Sequence, residues 1–96
     1  MINGFHEVAS PEKYPYCRKW VNGEGAEIYQ FGYGRGNAYL RIESGKYVGA
    51  YKTQRNAAMR VRNGFRMTKR GIRNGGCFEF LWEHVMRGSA VYELGI

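Results

Sequence analysis

The hydrophobic pattern of the chain is clearest in its middle third. Glu27 to Tyr33, Ala38 to Glu43 and Lys46 to Lys52 are short runs rich in Tyr, Phe, Ile, Leu and Val, the composition of β-strands. Gly34-Arg35-Gly36-Asn37 separates the first pair of runs, and Ser44-Gly45 is a two-residue hairpin signal between the second pair. Hairpin partners share a face, so the turns fix which side chains lie together. A two-residue loop at Ser44-Gly45 pairs Glu43 with Lys46, Ile42 with Tyr47 and Leu40 with Gly49. A loop centred on Arg35-Gly36 pairs Tyr33 with Ala38, Phe31 with Leu40 and Tyr29 with Ile42. One face then collects Tyr29, Phe31, Tyr33, Leu40, Ile42, Tyr47 and Tyr51 as a core. The other collects Ile28, Gln30, Tyr39, Arg41, Glu43, Lys46, Val48 and Lys52 as a solvated, basic surface.

The rhythm then turns helical. Thr53 is placed to cap a helix over about 54–63, which Gly64 would end. Ala57, Ala58 and Val61 form a narrow stripe, continued by Phe65, that suits close packing on the aromatic face of the sheet. Arg55, Arg60 and Arg62 flank or oppose the stripe and are expected to be exposed. Residues 64–76 read as a basic, glycine-punctuated loop. In 77–86 the alternation of Phe78, Phe80 and Trp82 favours a strand, although Phe78, Leu81, Trp82 and Val85 also fit a helix. Arg87-Gly88 would turn it into a C-terminal hairpin. Residues 1–25, broken by Pro11, Pro15, Gly23 and Gly25, read as an irregular segment, with 14–20 extended over the core. The expected fold is one α+β domain over 1–96, a three-stranded meander at about 27–52 with a helix on its aromatic face.

Charge changes this picture most. Between Ser44 and Phe78 the chain carries nine basic side chains and no carboxylate, while the rest holds six basic and eight acidic groups. All eight acids are Glu. Such segregation creates a field that attracts polyanions. Arg41, Lys46 and Lys52 on the solvated sheet face, Arg55 and Arg62 on the helix, and Arg66, Lys69, Arg70 and Arg73 on the loop are the expected phosphate contacts, with Tyr39 available to stack on a sugar or base. The partner so described is DNA or RNA, held without catalysis. The order of three antiparallel strands and a helix resembles, in architecture alone, the small domains that lay a three-stranded sheet into a DNA groove, such as the arm-binding domains of phage integrases.

Two other functions fit the composition. Fifteen aromatic side chains and exposed arginines suit an interface hot spot. That describes a small inhibitor or adaptor of the phage or mobile-element kind, anti-CRISPR proteins among them, docking on an acidic protein or nucleoprotein complex. A small metal-independent ribonuclease would use His84 beside Glu83, or His6 beside Glu7, as its base. Neighbours along a strand point to opposite faces, however, so neither Glu would orient its His. Cys17 and Cys77 lack paired metal-ligand spacing and read as reduced thiols. With no Asp and no clustered Glu, neither a metal nor a cofactor is expected. Gly32-Tyr33-Gly34-Arg35-Gly36 is a hairpin turn, not a phosphate loop, because neither a helix nor a Walker lysine follows. No run is long and apolar enough to span a bilayer, and no secretory signal is visible at the start, so a cytoplasmic location is expected.

Overall fold

The computed structural model describes residues 4–10, 12, 17–61 and 65. Within them, five strands form one antiparallel sheet in chain order: β1 (His6–Val8), β2 (Arg18–Val21), β3 (Ala26–Tyr33), β4 (Gly36–Glu43) and β5 (Lys46–Tyr51). One short helix, α1 (Gln54–Met59), follows. The expected basic loop beyond Phe65, the 77–86 segment and the C-terminal hairpin lie outside the described residues.

The sheet is larger than the three strands expected, because the N-terminal region is not wholly irregular. β2 pairs with β3 through Trp20 opposite Ile28, and β1 pairs with β2 through Glu7 opposite Trp20. The β2–β3 turn is built by Asn22. Its Oδ1 accepts from the Glu24 and Ala26 amides at 2.9 and 3.0 Å, and Gly25 takes a positive φ of 85°. Glycine supplies that conformation at little steric cost, and an Asn side chain hydrogen-bonding the amides that follow closes the turn.

The β3–β4 turn is Gly34-Arg35, with Gly34 at φ 56°, as a hairpin with glycine at its first central position requires. Tyr33 therefore faces Gly36, Phe31 faces Ala38 and Tyr29 faces Leu40. This register is displaced by two residues from the one expected. A two-residue shift preserves the side-chain period, so the faces of β3 and β4 are unchanged.

In β5 the parity breaks. Glu43 faces Lys46 and Ile42 faces Tyr47, but a bulge then sets Arg41 opposite Gly49, Leu40 opposite Ala50 and Tyr39 opposite Tyr51. Val48 is the extra residue. Tyr51 consequently joins Tyr39 and Arg41, not Tyr29 and Phe31. The helix goes with it. Ala57 packs in a buried cluster with Phe5, Trp20, Ala26, Ile28 and Tyr51, flanked by Tyr39 and Ala58. So α1 covers the face expected to be wet and basic. The aromatic face is buried as well, through Tyr29, Phe31, Leu40, Ile42 and Ala50. Both faces of the central strands β3 and β4 are therefore largely interior.

α1 begins as the sequence implies. The Thr53 hydroxyl accepts from the Asn56 amide at 3.1 Å, satisfying an orphan donor of the first turn. It ends earlier than expected, at Arg60, which takes left-handed φ 57° and ψ 36°.

Candidate nucleic-acid interface

Arg41 was expected to face solvent and instead lies within the core, 7% exposed. A buried guanidinium is tolerated only when its charge is paired and its N–H groups are used. Its Nε donates to Glu43 Oε2 at 2.6 Å, and its Nη1 donates to the carbonyls of Ala57 and Ala58 at 2.8 and 3.0 Å. The guanidinium also stands 5.2 Å from the centre of the Phe5 ring, at cation–π distance. Those two carbonyls belong to the last turn of α1, where helices leave acceptors without partners and favour positive charge. Arg41 is thus the C-terminal cap of α1, supplied from the sheet, and it is not available to a phosphate. Tyr39 is half-buried against the same core, so it is no open stacking platform.

Two further cations outside the basic window are matched to carboxylates. Arg18 meets Glu7 through two hydrogen bonds of 2.8 and 2.7 Å and lies 4.9 Å from the Trp20 ring centre. The pairing pushes the Glu7 carboxyl below its ordinary range. Lys19 meets Glu27 at 2.8 Å and stands over the Tyr29 ring, while the Tyr29 hydroxyl donates to the same carboxylate at 3.2 Å. The Glu27 hydrogen bond raises the Lys19 pKa, and burial raises that of Tyr29. His6 is exposed on β1, while Glu7 points to the other face and is held by Arg18. That arrangement gives the ribonuclease reading no oriented base at this end. Among the described residues no three metal-ligating side chains converge.

The predicted contacts that remain are Lys46, Lys52 and Arg55. All three are exposed, and none has an ion pair among the described residues. Lys46 begins β5, Lys52 follows its end, and Arg55 is in the first turn of α1. At about 3.3 Å per residue, Lys46 and Lys52 mark out a side about 20 Å long. Arg60 adds a fourth cation there, 58% exposed and 3.4 Å from the Glu43 carboxylate that Arg41 already uses. Arg55 contributes nothing to the helix electrostatically, because the first turn favours acids. Arg62, Arg66, Lys69, Arg70 and Arg73 lie outside the described residues.

Sequence reasoning missed a hollow on this same side. A cavity of about 300 Å³ is lined by Ala50, Tyr51, Lys52, Thr53, Asn56, Val61 and Phe65. The Phe65 ring meets Tyr33 edge-to-face, centroids 5.6 Å apart. The apolar continuation from Ala57 through Val61 to Phe65 was the signal, although it had implied packing on the sheet. No helix among the described residues is long and apolar enough to cross a membrane. Comparison with protein-family models, curated proteins and solved structures returned no match.

Proposed function

We propose that this protein is a non-enzymatic nucleic-acid-binding protein that contacts phosphates through its β5–α1 side. The observation carrying this reading is the unmatched charge there. Residues 35–61 hold six cations and one carboxylate, and Lys46, Lys52 and Arg55 are exposed without a carboxylate among the described residues. Unmatched exposed cations cost little while solvated and release counterions when phosphates replace water. The residues at work differ from a free sheet face: Arg41 and Tyr39 drop out, and the helix side takes their place.

Fluorescence anisotropy with labelled DNA and RNA tests this between about 50 and 200 mM salt. The logarithm of the binding constant should fall linearly with that of salt. The Lys46→Ala, Lys52→Ala, Arg55→Ala triple variant should lower the slope by up to about 0.9 for each phosphate it no longer neutralises. Absence of binding at low salt, or salt-insensitive binding, would refute the proposal.

One observation favours a second reading, docking on an acidic protein. Met59 and Val61 are 49% and 40% exposed beside these cations, and apolar groups ringed by charge are common at protein interfaces. A stoichiometric protein partner that survives nuclease digestion and is lost on Met59→Asp substitution would replace the nucleic-acid reading with this one.

A further inference from the structure

The hollow between β5 and α1 has the chemistry of a site for one flat heterocycle attached to a phosphate. Its walls are apolar at Ala50, Tyr51, Val61 and Phe65. Its polar groups are few and of distinct kinds. Lys52 is a cation without an ion pair among the described residues. The Asn56 backbone amide is taken by Thr53, while the Asn56 side-chain amide makes no hydrogen bond among the described residues. An amide offers two donors and an acceptor, the complement of a base edge. The edge-on contact with Tyr33 holds the Phe65 ring in place, and a wall oriented in advance loses little freedom on binding. The size, about 300 Å³, lies at the lower end of small-ligand sites.

We infer that this hollow receives one unstacked nucleobase of single-stranded nucleic acid, with Phe65 as its aromatic wall, Asn56 at its edge and Lys52 on the adjoining phosphate. The inference rests on the nucleic-acid reading above and deepens it. A base within a duplex is stacked on both sides and cannot enter, whereas a single strand presents every base to such a site. The protein should therefore prefer single strands to duplex, which unmatched charge alone would not produce.

The test compares a short single-stranded DNA carrying a fluorescent base analogue with its duplex, for the unaltered protein and for Phe65→Leu, Phe65→Tyr and Asn56→Ala. The unaltered protein should bind the single strand more tightly and change the emission of the analogue. Phe65→Leu should weaken single-strand binding by about tenfold, the effect of removing one stacking ring, while duplex binding stays unchanged. Phe65→Tyr should retain the preference. Asn56→Ala lies outside the apolar core and serves if Phe65→Leu fails to fold. Equal affinity for single strand and duplex, or a preference that both variants leave unchanged, would overturn the pocket while leaving phosphate binding in place. Failure to bind either form would overturn the phosphate reading itself.

Discussion

The two flanks of the sheet treat charge in opposite ways. On the β1–β2–β3 side, the described residues up to Gly34 carry two cations, Arg18 and Lys19, and four carboxylates. Both cations are matched, to Glu7 and Glu27. On the β4–β5–α1 side one carboxylate, Glu43, serves Arg41 and Arg60 together, and Lys46, Lys52 and Arg55 have none among the described residues. Paired surface charge contributes little to stability and presents little net field. Unpaired charge of one sign is a liability for the fold and an attraction for an anion. The contrast shows that basic residues must be sorted by what already holds them before they are counted as phosphate ligands.

The largest expected effect falls on Arg41, which breaks the simple equation of arginine with binding. Arg41→Ala removes the cap of α1 and a buried ion pair, and should cost about 3 kcal/mol in chemical denaturation. Its effect on salt-dependent binding should vanish once folding is restored by lower temperature. Next comes the contrast between flanks: Lys52→Ala should reduce the salt slope of DNA binding by about 0.9, the share of one phosphate, and Arg18→Ala should leave it unchanged. An equal effect at the two sites would abolish the distinction.

The matched flank should also show itself in alkali. Lys19 and Tyr29 both have pKa values raised in the folded state above the ordinary 10.5 and 10.0, by the Glu27 hydrogen bond and by burial respectively. Groups with raised folded values stabilise the fold fully below their unfolded pKa and lose that contribution as pH rises through the folded one. Stability should therefore fall as the pH climbs above about 10. Lys19→Met with Tyr29→Phe should flatten that limb in pH-dependent denaturation. The smallest effect concerns Arg60, whose left-handed conformation suits glycine. Arg60→Gly should stabilise the protein by about 0.5 kcal/mol, after loss of its exposed pairing with Glu43.

Much of this was legible along the chain. Ser44-Gly45 dictates its turn because the residues at φ 52° and 76° sit where a two-residue hairpin needs positive φ. Thr53 caps α1 because a short hydroxyl before a helical run reaches the amide three residues on. The β2–β3 hairpin was harder to read, since a two-residue turn at Asn22-Gly23 would set Trp20 opposite Gly25, whereas the longer turn closed by the Asn22 side chain sets it opposite Ile28. The charge segregation that suggests an anionic partner is a property of the sequence alone, since it is a count of residues.

Tertiary structure decided which face is covered and which arginines remain available. The local mark of the bulge at Val48 is one glycine inside the strand, Gly49, which does not by itself set the register. The bulge adds one residue to β5, and a period of two converts one extra residue into a reversal of every side chain beyond it. Tyr51 thereby changes face, α1 follows onto the Arg41 side, and an arginine that alternation placed in water becomes a helix cap in the core. Sequence supplies the charges and the turns because those depend on neighbours a few bonds apart. The carbonyl partners of Arg41, sixteen and seventeen positions away along the chain, meet it only once the sheet and helix have packed.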